Sequence, residues 1–254
     1  MVRVTRRAGF TGSALVRWLA GLGDLDVPES RQVFAERLSQ WLAWTDAIAL
    51  SAALDGSTAQ APTDQRVTKT SDSAEAAECA RLRAALTSAI TRDNAFGADK
   101  TRVTSQAPDR SVSAEISPDN ARDFTPHRRR YVARQQAMEA SIGPLRARLR
   151  TALANRSPAM ARLAAIDAVM EQLLAPREHH LLATVPTLLE KQFDRLARAE
   201  QAARDDTPAM DATSEWLVAF TQDMQGVLIA ELDIRMQPVE GLLAALRSTS
   251  TSSP

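Results

Sequence analysis

With 254 residues and 31 basic side chains against 31 acidic ones, the chain is uncharged at pH 7, which disfavours a globally basic nucleic-acid binder. Its length allows a substantial core, built as one large domain or two small ones. A single tyrosine, nine glycines and a predominance of Ala, Leu, Arg, Glu and Gln disfavour a β-rich fold, and the lone Cys79 excludes an intrachain disulfide. An all-α fold is expected: a helical bundle with long amphipathic C-terminal helices and two polar linkers. Only Lys69, Lys100 and Lys191 are lysine, a bias toward arginine that fits a GC-rich bacterial genome and concerns origin rather than function.

Thr5-Arg6-Arg7 ahead of Phe10 faintly resembles a twin-arginine export signal. Arg17 interrupts the apolar stretch that follows, and no small-x-small cleavage site ends it. No segment approaches the roughly 20 apolar residues of a membrane span. A cytoplasmic location is therefore expected. Gly9-Phe10-Thr11-Gly12-Ser13 lacks the preceding strand and third glycine of a dinucleotide-binding turn. Ser13 caps a short helix to about Leu22, where Gly21 and Gly23 end it. Pro28 and Glu29 suit the first turn of the next helix, whose face Phe34, Leu38, Trp41, Leu42, Ile48 and Ala52 would form over 30–54. Residues 1–54 are expected as an N-terminal helical unit. It holds Trp18, Trp41 and Trp44, three of the four tryptophans. They read either as filling for a small core, the commoner use of such residues, or as a docking surface for a protein partner.

Residues 55–73 and 94–117 are polar and longer than compact domains usually leave unstructured, so both are expected to be disordered linkers. Between them a helix over 74–93 carries Leu82, Leu86 and Ile90, with Cys79 as a small packed hydrophobe. Residues 118–247 are expected as the C-terminal bundle. Its first helix starts at 117–119 or at Thr125-Pro126 and runs to about Ala154, bending near Gly143-Pro144. Ser157-Pro158 then supplies a cap and a first-turn proline. A stripe follows through Leu163, Ile166, Met170, Leu173 and Leu174, then Leu182, Val185, Leu189, Phe193 and Leu196, with kinks or breaks due at Pro176 and Pro186. Residues 205–208 turn the chain into a last helix striped by Leu217, Phe220, Met224, Leu228, Leu232, Met236, Val239, Leu243 and Leu246. The mean spacing, near 3.6, argues for straight packed helices rather than a left-handed coiled coil. Residues 158–247 are expected to form an antiparallel hairpin against the helix before them, and 248–254 a disordered tail.

No residue grouping suggests catalysis, a cofactor or a metal. Adjacent His179 and His180 project about 100 degrees apart on a helix and do not chelate together as an i, i+4 pair would. The sharpest charge feature is Arg128, Arg129, Arg130 and Arg134, in a region, 109–162, that holds eleven arginines and five acids. It reads as an anion or nucleic-acid contact, or, more simply, as a solvated face or a basic helix lying beside an acidic one; residues 211–246 carry six acids and one arginine.

At 7–16, 27–31 and 41–48 (Trp41-Leu42-Ala43-Trp44-Thr45-Asp46-Ala47-Ile48), and again at Arg177-Glu178-His179-His180-Leu181-Leu182 and Leu232-Asp233-Ile234-Arg235-Met236-Gln237-Pro238-Val239-Glu240-Gly241, the chain resembles an uncharacterised proteobacterial family, a domain of unknown function. The resemblance implies genes near a MotA/TolQ/ExbB-type and an OmpA-type protein, and so a place in an envelope-associated, ion-driven assembly at the inner membrane. It carries over no catalytic residues. A non-enzymatic helical interaction protein is therefore expected, as adaptor or accessory subunit; the alternative is a nucleic-acid-associated protein using the arginine cluster. Homo-oligomerisation is compatible with either.

Overall fold

The computed structural model describes residues 13–23, 34–41, 44–55, 68–92, 123–206 and 215–251, and their regular structure is entirely helical. In chain order the helices are α1 (Ala14–Gly23), α2 (Phe34–Trp41), α3 (Trp44–Asp55), α4 (Thr68–Arg92), α5 (Thr125–Ala154), α6 (Pro158–Leu182), α7 (Val185–Asp206) and α8 (Glu215–Thr251). The glycine-rich turn, most of the two expected linkers and the turn at 207–208 lie outside the described residues.

Helix starts follow local chemistry. Ser13 Oγ accepts the Val16 N–H at 3.2 Å, and Ser157 Oγ accepts the Met160 N–H at 3.3 Å with Pro158 in the first turn. The two prolines of the long stripe behave differently. Pro186 sits in the first turn of α7, where no N–H is required, and the break falls just before it, at Ala183-Thr184. Pro176 is contained within α6, and Pro144 within α5. Two ends differ from expectation. Helix α4 begins at Thr68 rather than near Ala74, and α8 continues to Thr251 rather than stopping at Arg247. At that end Ser248 Oγ donates to the Ala245 carbonyl at 2.8 Å, a local bond that a helix interior accommodates.

Helix α8 is the spine. Its expected stripe is buried from Phe220 through Leu246, with Leu217 partly covered. It packs most extensively on α5, then on α4, α1 and α7, and only slightly on α6. Helices α8 and α6 both pack on α5, the helix against which 158–247 is expected to lie; within that stretch α8 pairs with α7 and only slightly with α6. The core is shared by all these helices, since Leu15 and Leu22 of α1 and Cys79, Leu86 and Ile90 of α4 join one buried cluster with α5, α7 and α8. Helices α1 and α4 thus pack on the same core as α5, α7 and α8. Polar clamps add direction to α4: Arg83 pairs with Asp233 and Glu240 of α8, and Gln225 Nε2 donates to the carbonyls of Ile90 at 3.1 Å and Thr91 at 3.2 Å.

Gly226 explains how α1 approaches α8. The Trp18 ring occupies the space a Cβ at Gly226 would need. Gly226→Ala is expected to lower stability, although alanine is favoured in a helix by about 1 kcal/mol, because the overlap pushes α1 off the spine. Urea denaturation reads the sign; a gain would show that Trp18 swings aside freely.

Candidate functional site

The three N-terminal tryptophans do not fill a core. Trp18 on α1 is 38% exposed and Trp44, the first residue of α3, is 83% exposed. Trp41, the last residue of α2, is half-buried beneath Arg177 of α6, whose guanidinium carbon stands 5.6 Å from the ring centroid. Arg177 Nη2 also donates to the Trp41 carbonyl at 2.7 Å. The buried tryptophan is the fourth, Trp216, in a cluster with Phe124, His127, Phe193 and Phe220 at the junction of α5, α7 and α8. Burial, with the nearby Arg130 second, lowers the His127 pKa and keeps the ring neutral.

Helix α3 packs on α6. Asp46, Leu50 and Ala53, three and four residues apart, form its partly covered side. The opposite side presents Trp44, Ala47, Ile48, Ser51 and Ala52, all exposed, with Leu54 at one flank. Ile48 is 57% and Leu54 53% exposed. The apolar stripe of α6 is also incompletely covered: Ile166, Met170, Leu173 and Leu174 are half-buried, and Leu181 is 61% exposed. Helix α3, seated on α6, therefore leaves an apolar ledge on its outer side, with α6 only partly covered beneath it.

Beneath the ledge lies a polar network that no periodicity announces. Glu231 of α8 is completely buried. It accepts from Tyr131 Oη at 2.7 Å, from Gln135 Nε2 at 3.1 and 3.2 Å, and from Arg235 Nε at 2.9 Å. Gln135 Nε2 also lies 3.2 Å from the Leu182 carbonyl at the end of α6. Arg235 continues outward, to Glu139 of α5 at 3.1 Å and Glu178 of α6 at 3.4 Å, and His179 Nδ1 lies 3.3 Å from Glu139. Three donors thus hold the Glu231 carboxylate in one position. Burial and then the adjacent carboxylate of Glu231 push the Tyr131 phenol well above its usual range, so it remains a donor.

Glu178 is held above the ordinary carboxylate range by burial, which outweighs the attraction of Arg235, with Glu231 and Glu139 adding repulsion. A raised acid pKa means the folded state binds the proton more tightly than the unfolded one. The penalty is complete above the folded pKa and disappears as pH falls to the unfolded value, near 4.3. Glu178→Gln is accordingly expected to raise the melting temperature at pH 7 to 8, with the gain shrinking toward pH 4; thermal melts across that range would contradict it if the two proteins differed equally at every pH.

The arginine cluster is not assembled into one face. Arg128 and Arg129 are exposed at the start of α5, Arg130 is half-buried, and Arg134 is engaged by neighbouring groups. Further along α5 the basic residues are answered by acids, though not those of α8. Arg146 and Arg150 meet Asp167 of α6 at 2.7 and 3.2 Å, Arg150 meets Glu171 at 2.5 Å, and Arg148 meets Glu78 of α4 at 2.5 Å. Among the described residues no group of three or more His, Cys, Asp and Glu side chains is placed to hold a metal ion, and no helix is long and apolar enough to cross a membrane.

Three of the segments singled out in the sequence meet here: Trp41 touches Arg177, and Glu178 beside it touches Arg235. No curated protein and no solved structure matches the chain. A family model does, over residues 1–248, and the chain belongs to that family, described as a protein of unknown function (DUF3348).

Proposed function

We propose that this protein is a non-enzymatic interaction protein whose partner docks on the ledge that α3 forms on α6. The observation that carries the reading is the exposure of Trp44, Ile48 and Leu54 together on one short helix. Scattered apolar residues are normal on a surface, but an indole presented beside a line of small and aliphatic side chains is the composition of an interface centre. Arg177 fixes the adjoining Trp41, so part of the ledge is ordered before a partner arrives. The gene neighbourhood that the resemblance implies directs the search for that partner to the inner membrane, with the protein proposed to act there as adaptor or accessory subunit from the cytoplasm. The test is capture from a gentle detergent extract of the source organism, comparing the native chain with Trp44→Ser/Ile48→Ser. Loss of a captured protein by the variant, with unchanged circular dichroism and melting temperature, is the expected result. Equal capture by both, or none by the native chain, would overturn it.

A nucleic-acid role through Arg128, Arg129, Arg130 and Arg134 is the weaker reading. It is favoured by the exposure of Arg128 and Arg129 and weakened by the acids paired with Arg146, Arg148 and Arg150. It requires salt-sensitive binding of a DNA or RNA duplex that Arg128→Ala/Arg129→Ala removes.

A further inference from the structure

A cleft of about 410 Å3 opens between α1, α7 and α8, lined by Ala14, Arg17, Trp18, Leu22, Gln192 and Asp223. Its size is that of a small-ligand site, commonly about 300 to 1,000 Å3. Two of its walls stand in a fixed relation. The Trp18 ring lies over Gly226, and Gly226 follows Asp223 by three residues on α8, so the indole and the carboxylate share one helix face. The third wall is equally constrained. Gln192 is only 7% exposed; its Oε1 accepts from Arg195, which turns its amide nitrogen toward Asp223 Oδ2 at 3.3 Å. The Asp223 carboxylate is thereby held in place beside the indole, and a carboxylate has about four acceptor directions, of which the amide occupies one.

An aromatic face next to an oriented carboxylate suits a planar cation. A guanidinium group can lie flat on the indole while its N–H edge donates to the carboxylate, which a compact ammonium cannot do. Arg17 at the rim sets a condition on the rest of the ligand: it disfavours a second positive charge and favours a neutral or anionic end. We propose that this cleft binds a guanidinium group, stacked on Trp18 and held by Asp223. The group can belong to free arginine or to an arginine side chain in a peptide.

Calorimetric titration of the full chain tests this with three probes: L-arginine, Nα-acetyl-L-arginine N-methylamide, and uncharged L-citrulline. The indole N–H resonance of Trp18, identified by its loss in Trp18→Phe, reports where binding occurs. A saturable shift of that resonance with an arginine probe is expected, with L-citrulline at least about tenfold weaker, equivalent to 1.4 kcal/mol. Asp223→Asn should weaken the arginine probes at least about tenfold, and Trp18→Leu offers an independent loss if the first variant folds poorly. L-arginine binding about tenfold tighter than the capped probe identifies a free amino acid; equal or tighter binding of the capped probe identifies a peptide side chain. No saturable response at millimolar concentration, or citrulline or Asp223→Asn matching the native pair, would overturn the proposal.

Discussion

Glu231→Ala is expected to cost about 2 to 6 kcal/mol, because it leaves the buried Tyr131 hydroxyl and the Arg235 Nε–H without an acceptor, at about 1 to 3 kcal/mol each. The carboxylate itself is a poor source of net stability, since removing a charge from water costs several kcal/mol before any partner repays it. Its deletion is a different matter. The Tyr131 hydroxyl and the Arg235 Nε–H lose their acceptor at once, while the Gln135 amide keeps only the Leu182 carbonyl and Arg235 keeps Glu139 and Glu178. Tyr131 is itself fully buried, and the Arg235 side chain is only 9% exposed, so water does not readily take the vacated place. For a domain whose total stability is about 5 to 15 kcal/mol, such a loss is a large fraction of the whole. Urea denaturation measures it, and a cost below about 1 kcal/mol would mean that water enters the space and satisfies the donors. An apolar replacement of the inner set, Tyr131→Phe with Gln135→Leu and Glu231→Leu, is expected to recover much of the loss while leaving Arg235 to Glu139 and Glu178. The comparison separates the cost of an orphaned donor from the worth of the network.

That network also marks where sequence reasoning stops. The stripe on α8 was legible because its residues answer a single neighbour set on one face, and nearly all of them are buried as expected. The same periodicity on α6 misleads: its residues are equally apolar, yet α8 hardly reaches that helix, and α5 and α3 cover it only in part. Periodicity says which face is apolar and is silent on how much of it a neighbour covers. Tyr131, Gln135 and Glu231 were invisible for a related reason. The hydroxyl and the carboxylate are 100 residues apart in the chain, and each alone looks like an ordinary helical residue. The one local signal was Glu231 and Arg235, an i, i+4 pair set beside the stripe residues Leu232 and Met236 on a helix with no other basic residue before Arg247. The arginines of α5 show the converse. For Arg146, Arg148 and Arg150 the acids come from α6 and α4, not from the acidic stretch that charge counting pointed to on α8, which gives Asp233 and Glu240 to Arg83.

The tryptophans make the same point with opposite energetic consequences, which Phe220→Ala exposes. Phe220 is completely buried, with the rings of Phe193, His127 and Phe124 centred 5.0, 5.2 and 6.1 Å away. Its truncation is expected to cost about 3 to 5 kcal/mol, because three helices converge there and cannot collapse onto the void without losing other contacts. Trp44→Ala, the larger deletion, should change stability by no more than about 0.5 kcal/mol, since its side chain is mostly in water already. Denaturation of the two variants checks the contrast, and equal losses would place Trp44 in a core after all. His127 supplies an independent reading of the same cavity. Its pKa is lowered because the aromatic cluster excludes water from the charged ring. A base with a lowered folded pKa binds its proton more readily in the unfolded chain, so stability falls as pH drops through the unfolded value, about 6.5. Opening the cluster at Phe220 admits water beside the imidazole, and the His127 pKa in Phe220→Ala should move back up toward its ordinary value. Nuclear magnetic resonance titration follows that directly. An unmoved pKa alongside a large stability loss would mean that the void stays dry and the ring remains desolvated.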